Sequence, residues 1–490
     1  MRILAVIALA ASLAVAAGFT AQGKSAPDAR RPNIILVLAD DLSWNLVQYM
    51  PNVRTMQAQG VTFSRFFVSD SLCCPSRATI FTGKYPHNTG VFTNGGRDGG
   101  FLAFHDNGLE RQTFATRLRS VGYTTALMGK YLNGYTPTLS VDGENLYIPP
   151  GWDEWDVGGK GYANYDYGLN ENGRYRYYGT NAEDYLTDVI AAKGIAFVNR
   201  ATARQKPFFL EIAPFAPHSP YTSAPRHETW YPDVKAPRTP AFNEVDMSDK
   251  PRWLKKRKLL RELPVSTIDE DFRLRVQAVQ AIDEMIGSLR QTLAARGQLA
   301  NTYILFTSDN GLHMGEHRLA PGKQTAFETD IHVPLVVTGP NVPHGWRLPQ
   351  ITSTIDLFPT FAQLAGASVP GAIDGRSLKP LLAGQTVSPW RRAVLVEHHG
   401  PDVTRDDPDF PGPFGGNPPS YKALRTGTGT YVEYSNGETE YYNLRKDPYE
   451  LTNTAKSLSL SARGNLHAQL MALAECSGVV SCWTAAEARK

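Results

Sequence analysis

The sequence predicts an α/β protein: a layered domain on a mainly parallel central sheet flanked by helices, followed by a smaller C-terminal α+β domain. Three observations predict it. Uninterrupted apolar runs, Asn33–Ala39 and Thr302–Thr307, suit strands buried on both faces of a sheet. Between such runs, Phe272, Val276, Val279, Ile282, Ile286, Leu289 and Leu293 keep the three-and-four spacing of a long amphipathic helix, with Gly297 near its end. Beyond residue 420, short segments rich in Tyr, Thr and Val surround Asn436-Gly437, the signature of a tight hairpin.

The elements follow in order. Met1-Arg2 and the uncharged run Ile3–Ala17 read as a secretory signal peptide over residues 1–23, too short and Ala-rich for a membrane span of roughly 20 apolar residues. An α/β domain is expected over 30–395 and the α+β domain over 396–490. Strands are expected at Asn33–Ala39, Thr124–Met128, Pro207–Ile212, Thr302–Thr307 and Val333–Val337. A helix is expected to start near Cys73, with Pro75 in its first turn and Gly83 ending it. Residues 135–178, rich in Gly, Tyr, Asn and Trp, and 401–419, rich in Pro, Gly and Asp, read as long surface insertions of the kind that shape pockets. The C-terminal part is expected to hold strands at 422–426, 430–434 and 440–444 and a helix at 459–475. Cys476 and Cys482, close together in an exported chain, suit a small disulfide clip.

With 490 residues, 42% of them hydrophobic, the chain can bury a sizeable core. Its formal net charge of +3 is close to neutral for that size, which argues against nucleic acid or an anionic membrane as partner. Substrate charge must therefore be met locally. Cys73 stands where a helix start gathers unpaired N–H groups, and Arg77 lies one turn on with a planar fork of donors for an anion. Asp40-Asp41 and Asp309-Asn310-Gly311 each follow a strand, so their oxygens would meet at the carboxyl edge of a parallel sheet. Three carboxylates and an amide oxygen make a site for a hard divalent cation rather than zinc.

Cys73-x-Pro75-Ser76-Arg77, closed by Thr82-Gly83 and joined to those acids, resembles the signature of the type I, formylglycine-dependent sulfatase family. Gly83-Lys84-Tyr85-Pro86-His87-Asn88, Ala216-Pro217-His218-Ser219-Pro220 and Asp330-Ile331-His332-Val333-Pro334-Leu335 are similar to the N-acetylglucosamine-6-sulfatase and extracellular heparan-sulfatase branch. The resemblance implies an alkaline-phosphatase-like fold and hydrolysis of sulfate esters of aryl alcohols or sugars. It implies that a maturation enzyme converts Cys73 to formylglycine, whose hydrate offers one hydroxyl to attack sulfur and another to expel sulfate. It assigns one divalent cation, Ca2+ with Mg2+ as the alternative, to Asp40, Asp41, Asp309, Asn310 and the residue at 73. Arg77 is assigned to the activated residue, Lys130 and Lys323 to the sulfate, and His218 to the leaving-group oxygen.

One departure stands out. Many arylsulfatases carry Gly-Lys-x-His, whereas this chain has Gly129-Lys130-Tyr131-Leu132, so the base for sulfate elimination is missing there. His313, two residues after Gly311, is a candidate substitute, with a structural role as the alternative. Two other readings share these motifs: a phosphonate or phosphate ester hydrolase, and a sulfated-glycan binder that never acquires the aldehyde.

Overall fold

The computed structural model describes residues 31–141, 143–412 and 414–487; the signal-peptide expectation over 1–23 lies outside them. A ten-stranded sheet runs through the larger domain in the order Trp346–Leu348, Val61–Phe63, Leu335–Thr338, Thr302–Ser308, Asn33–Ala39, Phe208–Ala213, Thr124–Lys130, Glu154–Gly158, Tyr167–Glu171, Arg174–Tyr178. The five strands from Thr302–Ser308 to Glu154–Gly158 are mutually parallel, and antiparallel neighbours extend the sheet on both sides.

The apolar runs are explained by burial on both faces. Along Asn33–Ala39, Ile34, Leu36 and Leu38 face one core with Phe81, Phe114 and Phe361, while Ile35, Val37 and Ala39 face another with Phe272, Val276, Val279 and Ile282. The alternation is the two-residue period of a strand read by two layers of helices. On the first side lie helices Cys73–Thr82, Phe114–Ser120 and Leu357–Leu364; on the second lie Pro51–Gln59, Leu186–Ala203 and the 34-residue Glu262–Ala295, whose predicted apolar stripe is the buried face.

The 135–178 stretch, expected as a surface insertion, carries three strands of the sheet instead. Val157 and Leu169 bury side chains in opposite cores, and Asn172-Gly173, with φ of 53° and 87°, makes the tight turn between the last two strands. The 401–419 segment remains irregular among its described residues.

The smaller C-terminal domain is a four-stranded antiparallel sheet, Ala393–His398, Tyr421–Thr426, Gly429–Tyr434 and Thr439–Asn443, covered by helix Leu460–Ala474. Gly437 takes the left-handed conformation in the predicted hairpin, at φ 82°. The disulfide joins Cys476 and Cys482, leaving Cys73 and Cys74 as buried free thiols. Among the described residues, no helix is long and apolar enough to cross a membrane.

Candidate active site

Two adjacent parallel strands bring the acids together. Ala39 pairs with Ser308, so the residues that follow, Asp40-Asp41 and Asp309-Asn310, emerge side by side at the carboxyl edge. Asp41 takes a left-handed φ of 63° that turns the chain out of the sheet, and its N–H donates to Asp309 Oδ1 at 3.2 Å. Asn310 Nδ2 donates to Asp41 Oδ1 at 2.6 Å, and the buried Asn310 Oδ1 has no partner among the described residues.

Above this edge stands the start of helix Cys73–Thr82, entered through extended Leu72 and ended by Gly83 at φ 68°. Cys73 Sγ lies 3.2 Å from Asp40 Oδ1 and 3.8 Å from Asp41 Oδ1. Arg77, wholly buried, pairs through Nε with Asp309 Oδ2 at 2.7 Å and through Nη1 with the Lys130 carbonyl at 3.0 Å, while Nη2 has no partner among the described residues. Arg77 thereby anchors Asp309 beside the other two acids.

Two lysines enter from different strands and loops. Lys130, the last residue of Thr124–Lys130, reaches Asp40 Oδ2 at 2.7 Å, with its ammonium 5.1 Å from the Tyr162 ring centre. Lys323 spends its three N–H groups on Asp41 Oδ1 at 2.7 Å, Asp409 Oδ1 at 2.6 Å and Cys73 Sγ at 2.8 Å. Burial alone would depress both ammonium groups, but Asp40 beside Lys130, and Asp409 with Asp41 beside Lys323, hold them well above the ordinary lysine value. Burial, then Asp40 and Asp409, push the Cys73 thiol well up, so it is no thiolate nucleophile.

His218 Nδ1 lies 2.7 Å from the Ser219 carbonyl, an acceptor, and Nε2 lies 2.6 Å from Asp409 Oδ1 and 3.6 Å from Asp41 Oδ2. A ring with acceptors at both nitrogens carries both protons. Burial opposes that charge, but Asp41 and Asp409 raise the pKa above the usual histidine value. His313 is placed differently: its Nδ1 faces both oxygens of Asp330, at 3.0 and 2.9 Å, and its backbone pairs with Gly322. Its Nε2 is buried without a partner among the described residues.

The donor set fits a hard divalent cation. Ligand atoms of Asp40, Asp41, Cys73 and Asp309 all lie within 4.8 Å of one another, and the unpartnered Asn310 oxygen adds a neutral donor of the type such ions take. A second gathering of Asp41, His218 and Asp409 meets the same distance test. There the Lys323 ammonium already bridges Asp41 and Asp409, so a positive charge is in place.

The structure thus brings ten sequence-predicted residues to one edge: Asp40, Asp41, Cys73, Arg77, Lys130, His218, Asp309, Asn310 and Lys323 in direct contact with one another, and His313 behind the Lys323 segment. It adds Asp409, Tyr162 and Asn94, which carry no motif. The only sequence signal for the first two was their place in the two insertions read as pocket-shaping loops.

A metal-binding acid cluster beneath a helix start, ringed by buried cations, defines a hydrolase of anionic esters. Comparison makes the class specific. The family described as Sulfatase matches residues 32–367, and the C-terminal region described as that of N-sulphoglucosamine sulphohydrolase matches 315–475. The N-acetylglucosamine-6-sulfatase of Capra hircus is 36% identical over 481 residues, covering 93% of this chain and 85% of that protein. A solved structure of BT4656 in complex with its substrate D-glucosamine-2-N,6-O-disulfate superposes with a TM-score of 0.73 at 25% identity, covering 90% of this chain and 97% of that one. The phosphonate monoester hydrolase of Agrobacterium radiobacter shares the fold, with a TM-score of 0.69 at 22% identity over 91% of this chain and 95% of its own. The chain belongs to the sulfatase family and is a sulfuric ester hydrolase of the formylglycine-dependent superfamily.

Proposed function

We propose that the enzyme removes sulfate from a sulfated sugar of the N-acetylglucosamine-6-sulfate type, turning over simple aryl sulfates as well, through a formylglycine made from Cys73. The observation that carries this reading is the position of Cys73: a helix start, 3.2 Å from Asp40 and 2.8 Å from Lys323, with a thiol too buried and too weakly acidic to act as it stands. Support for the sugar comes from the substrates in the names of the similar proteins.

In this reading Asp40, Asp41, Asp309, Asn310 and the oxygens of residue 73 would hold one hard divalent cation, Ca2+ with Mg2+ as the alternative. Bound there, the ion supplies positive charge that offsets the acids and polarises oxygen. Arg77 holds Asp309 and keeps its Nη2 N–H groups free to donate. One hydroxyl of the hydrated aldehyde attacks sulfur, and Lys130 and Lys323 stabilise the charge that grows on the peripheral oxygens. His218, doubly protonated, gives Nε2–H to the departing alcohol oxygen. Loss of a proton from the second hydroxyl then expels sulfate and restores the aldehyde. His313 serves as a positioning residue, fixing Gly322-Lys323 through its backbone pair while Asp330 holds its ring.

Maturation requires an oxidising enzyme that replaces the sulfur at Cβ by oxygen, and export is supported by the Met1–Ala17 pattern and the Cys476–Cys482 disulfide. The test is a side-by-side assay of N-acetylglucosamine-6-sulfate, an aryl sulfate and an aryl phosphate. Sulfate release from both sulfates is expected. Release from neither, with an unmodified thiol at Cys73, would favour the glycan-binder reading, and faster phosphate turnover the phosphohydrolase one.

A further inference from the structure

The position between Lys323 and His218 already contains a carboxylate. Asp409 stands on the 401–419 segment, which leaves the C-terminal sheet after Ala393–His398 and rejoins it at Tyr421–Thr426. Its Oδ1 lies 2.6 Å from Lys323 Nζ and 2.6 Å from His218 Nε2, and its side chain is 2% exposed. Oδ2 accepts from Asn94 Nδ2 at 2.6 Å, and the backbone carbonyl from Gln324 Nε2 at 3.4 Å. The rest of the segment is tied to the catalytic domain, Ala320 N–H donating to the Phe414 carbonyl at 2.9 Å and Arg257 Nη2 to Gly415 at 2.5 Å. Burial alone would raise the Asp409 carboxyl, but Lys323 and His218 hold it well below the ordinary range, so a full negative charge is fixed in the pocket.

A fixed buried charge sorts ligands by charge where shape cannot. Sulfate and phosphate monoesters are both tetrahedral, yet above neutral pH an aryl sulfate carries one negative charge and an aryl phosphate nearly two, its second pKa lying at about 6. Repulsion from a carboxylate sharing the same cations grows with ligand charge and is weakly screened inside the protein. The fold itself does not choose, since a phosphonate monoester hydrolase shares it. We infer that Asp409 is a specificity-determining residue that admits monoanionic sulfate esters and disfavours dianionic phosphate monoesters. The inference rests on the proposed function, in which Lys323 and His218 meet the sulfate ester. It adds the group that makes those cations selective.

The test compares kcat/KM at pH 8 for 4-nitrophenyl sulfate, 4-nitrophenyl phosphate and the monoanionic 4-nitrophenyl methylphosphonate, in the intact enzyme and in Asp409→Asn. The sulfate-to-phosphate preference should fall by about tenfold or more in the variant, while the sulfate-to-methylphosphonate preference stays within about threefold. Ratios within one variant cancel any general loss of turnover. Both preferences unchanged, or both moving together, would overturn the role of Asp409. For a variant that turns over none of the three, the comparison is made by equilibrium binding of phenyl phosphate and phenyl sulfate to Cys73→Ala with and without Asp409→Asn. Phenyl phosphate tightening more than phenyl sulfate supports the inference, and equal tightening contradicts it. A matured intact enzyme that hydrolyses no sulfate ester defeats the proposed function instead, which keeps the two failures apart.

Discussion

The ammonium of Lys323 lies 2.8 Å from the sulfur of Cys73 and joins it to Asp41 and Asp409, so one side chain links the residue to be activated, the acid cluster and the loop that roofs the pocket. Lys130 reaches the same acid cluster through Asp40.

Removing either lysine therefore costs both chemistry and stability. Lys323→Met and Lys130→Met are expected to lower kcat by about 10²–10³-fold, the usual effect of deleting one donor to developing oxyanion charge. Each also takes a buried cation from the carboxylates it balances, Asp40 for Lys130 and Asp41 with Asp409 for Lys323, a loss on the order of 3 kcal/mol. Steady-state kinetics and a melting curve for each variant check both effects. A variant with normal kcat would remove that lysine from the sulfate site.

Much of this site was legible before any coordinates. Asp40 and Asp309 follow apolar runs that suit doubly buried strands, and the Cys73-to-Arg77 motif suits a helix start. Asp409 was not legible. It sits among Asp402, Asp406 and Asp407 in an irregular segment, and what selects it is docking of that segment against Asn94, His218 and Lys323, far away in sequence. The three strands at 154–178 were hidden for a related reason: Tyr- and Gly-rich composition resembles loop, and Asn172-Gly173 is the one local sign of a hairpin. Helix Leu186–Ala203 and strand Ala393–His398, absent from the expected elements, also pack apolar residues into the cores.

Cation removal should be visible in stability as well as rate. Asp40, Asp41 and Asp309 lie buried within 4.8 Å of one another, and a bound divalent ion offsets their repulsion. Chelation is expected to abolish turnover and lower the melting temperature, and Ca2+ at a hundredfold excess over its Kd to restore about 2.7 kcal/mol. Metal analysis of the purified protein with melting curves checks this. Unchanged stability and activity in metal-free protein would show that the acids need no ion.

The pH profile should carry the signature of His218. Burial lowers its pKa, but Asp41 and Asp409 raise it above the ordinary value of about 6.5. A raised value means the imidazolium is fully present below about 6.5 and is lost only as pH rises through the higher folded-state value. Turnover of a sugar sulfate should therefore hold through pH 6.5 and fall on the alkaline side. The fall should be shallower for an aryl sulfate, whose leaving group departs with little help from an acid. His218→Asn should abolish the difference between the two substrates, as read from kcat/KM profiles.

The central claim is that residue 73 works as an aldehyde and not as a thiol, and peptide mass spectrometry of the active enzyme tests it most directly. The peptide containing Cys73 is expected about 18 Da lighter than its sequence mass, with Cys74 unchanged. Cys73→Ser, able to accept sulfate but not to release it, should stop after one turnover and keep the sulfate. Full multiple-turnover activity from protein carrying only the unmodified thiol at position 73 would contradict the account.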